Sequence, residues 1–95
     1  MALYYFHLRD GIDVLMDAEG VELAGMAAVA ARALMEARFI LSQDSLAGRI
    51  NFDQRIDVED EHGKIVHSIQ FSDAVTVTPS SAAVTQHDRI AALRA

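Results

Sequence analysis

Residues 3–11 read LYYFHLRDG, and this stretch decides the fold. From Leu3 to Arg9 the side chains alternate: Tyr4, Phe6 and Leu8 fall on one side, Leu3, Tyr5, His7 and Arg9 on the other. Successive residues of a strand point to opposite faces, so the pattern predicts a strand with one apolar and one mixed face. Asp10-Gly11 then supplies a hairpin turn, because both residue types tolerate positive φ, and Ile12 to Met16 returns as a second strand. Asp17-Ala18-Glu19-Gly20 makes another turn. Val21-Glu22-Leu23 reads as an extended connector, too short to count as a strand.

A helix is expected from Gly25 to Leu41 and beyond, through MAAVAARALMEARFIL, which is rich in strong helix formers. At about 100° per residue, Met26, Val29, Ala30, Ala33, Ala37, Ile40 and Leu41 share one stripe. Small alanines there let the helix axis approach a sheet closely, with Tyr4, Phe6 and Leu8 as opposing partners. Met35, Phe39 and, where the helix persists, Leu46 lie well round from this stripe, beside Ala28 and Arg32, and form a candidate partner surface. Gly48 is a reasonable C-terminal stop, whereas Asp44 on the core line predicts that the helix bends or frays before reaching it.

Gln54 to Asp60 reads as a strand with Ile56 and Val58 inward. Asp60-Glu61-His62-Gly63 forms a turn, and Lys64 to Phe71 pairs back, with Ile65, His67, Ile69 and Phe71 on one face and Val66, Ser68 and Gln70 on the other. The expected class is α+β: an antiparallel sheet of β-β-α-β-β order with one main helix on one face. Residues 1–76 make a single domain. Residues 77–95 form a linker broken by Pro79 and a short helix over 81–94 started by Ser80 or Ser81, whose Ala83, Ile90 and Leu93 are expected to cover Met35 and Phe39 in the same chain or in a partner.

The totals agree with one small soluble domain. A chain of 95 residues, 52% apolar, has enough material for one modest core. A net charge of -6 argues against a phosphate-neutralising surface, so nucleic acid is not an expected partner. With no cysteine there are no disulfides, thiol nucleophiles or cysteine metal sites. The alternating pattern begins within three residues of Met1, leaving no room for a leader, and no apolar run is long enough to span a membrane, so a cytoplasmic location is expected.

His7, Arg9 and Asp10, with Tyr5 beside them, are the sharpest chemical constellation: imidazole, guanidinium and carboxylate together can bind an anion or move a proton. The competing account places His7 and Arg9 on the outer sheet face and Asp10 in the turn with Gly11; an intermediate one has Arg9 bridging to Asp17 or Glu19 and fixing the loop. His67 and Ser68 are adjacent on a strand and point apart, so they make no base and nucleophile pair, and no Gly-x-Ser-x-Gly elbow is present. His67 is expected as a core or partly buried ring.

Asp57-x-Glu59-x-Glu61-His62-Gly63 resembles a calcium loop only superficially. Its glycine arrives one position late, and Ser68 stands where the bidentate glutamate belongs. Gly20 and Gly25 have phosphate-loop spacing, but Met26-Ala27 replace the lysine and hydroxyl residue. Arg32, Arg38, Arg49 and Arg55 could form a basic patch, yet Glu36 lies four residues from Arg32 and neutralises it. No metal, cofactor or catalytic set is therefore assigned.

YYFHLRDG, then DAEGVEL, an alanine-rich helix, DVEDEHGKIVHSIQF and SDAV together resemble a family of small alphaproteobacterial proteins, often from rhizobia, with the pattern Y-F-F-H-L-R-D-G, D-x-E-G-x-E-L, helix and β-hairpin. The resemblance covers residues 3–75. Tyr4, Phe6, His7, Leu8, Arg9, Asp10, Gly11, Asp17, Glu19, Gly20 and Phe71 are the matching positions. This chain departs from the pattern at Ala24-Gly25, where proline and aspartate are usual, and at His67, where an apolar residue is usual. The family's function is unknown, so the resemblance implies a fold and a taxonomic range without catalytic residues.

The functional expectation is a non-enzymatic protein-interaction or structural module, acting as a homodimer or on a protein partner through Met35, Phe39 and Leu46. The alternatives are an antitoxin-like or nucleic-acid-associated regulatory domain, and a small anion-binding protein using His7, Arg9 and Asp10.

Overall fold

The computed structural model describes residues 1–80. Strand β1 (Ala2–Asp10) is the hub of an antiparallel sheet. One edge of β1 pairs along most of its length with β4 (Gln54–Asp60), in the register Phe6 to Val58 and Leu8 to Ile56. Its other edge is shared. The C-terminal part of β1 pairs with β2 (Asp13–Leu15), and the N-terminal part pairs with β3 (Val21–Leu23). Beyond β4 lies β5 (Ile65–Gln70), so the path runs β2-β1-β4-β5, with β3 beside β2. The α+β class expected from the sequence is the one observed.

Val21–Leu23 is thus a strand, not a connector. Three residues suffice because nine-residue β1 presents a ready ladder of donors and acceptors that β2, itself only three residues long, leaves unpaired.

Helix α1 (Met26–Leu46) packs its small-residue stripe on the sheet. Val29, Ala33, Ala37 and Leu41 are buried and meet Phe6, Ile56 and Val58. Tyr4, Leu8 and Leu23 close the margins of this core. Met26, assigned to the stripe from its angle alone, is exposed: it is the first helical residue and lies beyond the end of the packed face.

The helix does not fray at Asp44. It continues to Leu46 because the Asp44 carboxylate accepts a hydrogen bond from Gln54 Nε2 at 3.0 Å, which gives a polar group on the core line a partner. The end is then tied off in a Schellman arrangement. Gly48, at φ 92°, donates to the Ser45 carbonyl, and the Arg49 N–H reaches back to the Asp44 carbonyl at 3.1 Å.

Strand β5 departs from simple alternation. Val58 pairs with His67, but Glu59 pairs with Ile65, so a bulge at Val66 inserts one extra residue. Val66 therefore packs against the core and Ile65 is exposed on the far side, the reverse of the faces expected for both. His67 stays on the helix side, half-buried. A one-turn helix, α2 (Phe71–Ala74), follows at once and drives Phe71 and Ala74 into the core. Arg38 Nε holds it to α1 by donating to the Ala74 carbonyl at 2.8 Å. The helix expected over 81–94 lies outside the described residues.

Candidate functional site

Residues on the sheet face away from α1 fall into rows set by strand register. Arg9, Arg55 and Gln70 stand in one row across β1, β4 and β5; His7, Asp57 and Ser68 form the next; Tyr5, Glu59 and Ile65 form a third. Every charged or aromatic group of the first strand's mixed face therefore meets a polar group that sequence order hides.

Asp57 is the centre. It is only 5% exposed and accepts from Arg9 Nε, from Arg55 Nε at 2.8 Å and Nη2 at 3.1 Å, and from Ser68 Oγ at 2.6 Å. Burial alone would push its carboxyl up. The hydrogen bonds from Ser68, Arg55 and Arg9 and the charge of Arg55 outweigh burial and hold it below the usual aspartate range. Arg9 thus bridges to Asp57, and not to Asp17 or Glu19 as the sequence suggested.

His7 is 2% exposed, although it points away from the helix. Its Nδ1 accepts the backbone N–H of Asp17 at 3.0 Å, which assigns the proton of the neutral ring to Nε2. Nε2 lies 3.3 Å from Glu59 Oε2 but is not aligned with it as a hydrogen bond. The Tyr5 ring runs parallel to the imidazole, with centroids 6.4 Å apart.

Asp17 answers in the other direction. One carboxylate oxygen accepts the Phe6 N–H at 3.0 Å, at the point on the β1 edge where β2 has ended and β3 has not begun. The other accepts from the N–H groups of Glu19 and Gly20, both at 3.1 Å. Burial raises its carboxyl, but these three N–H donors, with His7 nearby, bring it below the usual range. His7 is therefore a clamp for the loop between β2 and β3, a role that engages the nitrogen a general base would use.

Asp10 is exposed at the strand end and accepts from Asn51 Nδ2 at 3.1 Å. Of the four residues singled out on the first strand, Tyr5 and His7 stack, Arg9 joins a different cluster, and Asp10 stands apart in a polar recess with Asp44, Arg49, Asn51 and Gln54. Sequence reasoning missed Asp57, Arg55 and Ser68 as a unit. The signal was there in part: Asp57 is an outward position flanked by Ile56 and Val58, but only the β1–β4 register brings it beside His7 and Arg9.

On the other side of the molecule, Met35 and Phe39 are 69% and 64% exposed and line one groove with Arg32, Glu36 and Ile40. The same three residues line an adjoining groove whose far wall is Leu15, Met16 and the Asp17 loop. The two grooves share Ile40 and the Arg32–Glu36 ion pair at 3.1 Å, so Met35 and Phe39 on the helix are separated from Leu15 and Met16 on the hairpin by a charged boundary. Leu46 is exposed but lines neither groove.

Among the described residues no group of three or more metal-ligating side chains converges, and no helix is long and apolar enough to cross a membrane. Residues 3–72 match a family described as a domain of unknown function (DUF6894). No curated protein and no solved structure matches the chain.

Proposed function

The chain belongs to the DUF6894 family, of unknown function, and on that premise we propose that it is a non-enzymatic protein-contact module of a bacterial cytoplasm, working as a homodimer or on a protein partner. The observation that carries this reading is the exposed apolar pair Met35 and Phe39, which lines a groove on α1 with Ile40, while Leu15 and Met16 stand exposed along the adjoining groove. Contiguous exposed apolar surface on a small domain marks an interaction site more often than scattered single residues do. Methionine suits such a site because its unbranched thioether adapts to the shape of what it meets.

The polar face supports the same reading from the opposite side. His7 clamps a loop, and the Asp57 carboxylate is occupied by Ser68 and two arginines, so the imidazole and the carboxylate are engaged in holding the fold. The order of the YYFHLRDG and DAEGVEL motifs supports an alphaproteobacterial, rhizobial-type source.

Light scattering across a wide concentration range tests the proposal. Association that weakens in Phe39→Glu and Met35→Glu variants with unchanged circular dichroism is the expected result. A strict monomer that loses thermal stability on Phe39→Ser would overturn it, because the stripe would then be covered within its own chain.

A further inference from the structure

Arg9 and Arg55 are directly opposed across β1 and β4, a placement that repels unless something sits between them. Asp57 does so, but one carboxylate neutralises only one of the two charges. Among the described residues no second carboxylate reaches either guanidinium, which leaves a positive spot on a chain of net charge -6. A guanidinium offers about five N–H donors. Arg9 uses only Nε, and Arg55 uses Nε and one Nη2 hydrogen, so both Nη groups of Arg9 and Nη1 of Arg55 have no protein acceptor among the described residues. The two side chains are also 35% and 40% exposed, open to a ligand from the solvent side.

We propose that Arg9 and Arg55 form an oxyanion-binding fork on the open face of the sheet, with the buried Asp57 as its positioning residue and a phosphate or carboxylate group as its ligand. The logic is that of second-sphere support: Asp57 is fixed from the β5 side by Ser68 at 2.6 Å and holds the Nε edges of both guanidinium planes, so the terminal amines are aimed without further ordering cost. Planar forks match two adjacent oxygens of a phosphate or carboxylate, which point-charge lysines do not. Gln70, next in the row and exposed, extends the donor line. Neither His7 nor Asp10 belongs to this site. The fork is independent of the apolar surface on the helix side.

The test follows the arginine Nε–H signals of the intact chain by NMR during titration with inorganic phosphate and, separately, acetate, with sodium chloride as the reference at matched ionic strength. Saturable shifts of the Arg9 and Arg55 signals with phosphate or acetate, beyond those with chloride, are expected. Arg55→Gln should weaken the response at Arg9 by about tenfold or more. Asp57→Asn separates positioning from bulk charge: loss of the anchor should weaken phosphate binding, whereas mere attraction to positive charge would strengthen it. Shifts that only follow ionic strength would overturn the site, and tighter binding by Asp57→Asn would overturn the role of Asp57.

Discussion

The backbone N–H of Asp17 donates to Nδ1 of His7 at 3.0 Å, while the Asp17 carboxylate accepts the N–H of Phe6, the residue just before His7. Asp17 is thus stitched to two successive residues of β1, to the His7 ring through its backbone N–H and to the Phe6 N–H through its carboxylate. The stitch falls at the gap between β2 and β3, where β1 would otherwise leave an edge donor without a partner. A side chain there does the work of a missing strand residue.

His7→Phe keeps a flat ring beside Tyr5 but removes the acceptor, leaving the Asp17 N–H without its partner. The expected cost is about 1–3 kcal/mol, read as a lower urea midpoint at unchanged slope. His7→Asn, whose side-chain oxygen lies near the place of Nδ1, should recover part of that loss. If the two variants were equally stable, the ring would matter only by its volume.

How far the sequence speaks depends on whether a residue's partner is local. Alternation in Leu3–Arg9 is a property of the strand itself, so Phe6 inward and His7 outward were both legible, as was the alanine stripe of the helix. The partner of Arg9 was not. Arg9 lies 48 residues from Asp57, and their meeting follows from a register that periodicity does not encode. The Val66 bulge was hidden for the same reason: it is defined by two residues of β5 facing one of β4, and hydrophobic Ile65 and Val66 suit either face. The burial of His7 was missed because composition marks an imidazole as a surface or site residue, whereas here a backbone donor and a neighbouring ring make the buried position acceptable.

Gly20 and Gly63 offer a matched pair. Both have positive φ, 75° and 79°, so alanine at either position meets backbone strain of about 1 kcal/mol or more. At Gly63 a new Cβ meets open space. At Gly20 it would lie 3.0 Å from the Tyr4 carbonyl oxygen and 3.0 Å from Tyr5 Cε1. Gly20→Ala should therefore be the more damaging by roughly 1–3 kcal/mol in chemical denaturation. Equal losses would mean that the loop moves aside freely.

Ala33 is fully buried where α1 crosses the sheet, and the close approach of the two layers depends on its size. Ala33→Leu adds volume to a packed interior and should cost about 1–3 kcal/mol, whereas Ala31→Leu, on the exposed side of the same helix, should be close to neutral. Thermal unfolding of the two variants side by side checks this. A neutral Ala33→Leu would show that α1 can lift from the sheet at little cost.

The acid limb of stability should rest on Asp17 and Asp57. Both carboxyls are held below the ordinary aspartate range in the folded chain, against burial, by N–H and O–H donors and nearby positive charge. A group whose folded-state value lies below its unfolded value binds fewer protons when folded, so acid favours the unfolded state. Their contribution is fully present above the ordinary aspartate value, and it falls away as the pH drops towards and through the lowered folded-state values. Urea unfolding followed from neutral pH down to about pH 3 should show this decline, below the ordinary aspartate value of about 3.9 most steeply. Asp17→Asn and Asp57→Asn should each start from lower stability at neutral pH and show a shallower decline, because each removes one of the linked protonations. The two effects should also be nearly independent, since Asp17 is held by backbone donors at the β2–β3 loop and Asp57 by side chains on β1, β4 and β5. An acid limb unchanged in both variants would move the pH sensitivity to other carboxylates, with Asp60, whose carboxyl is lowered by the Lys64 and His62 N–H groups, the next to replace.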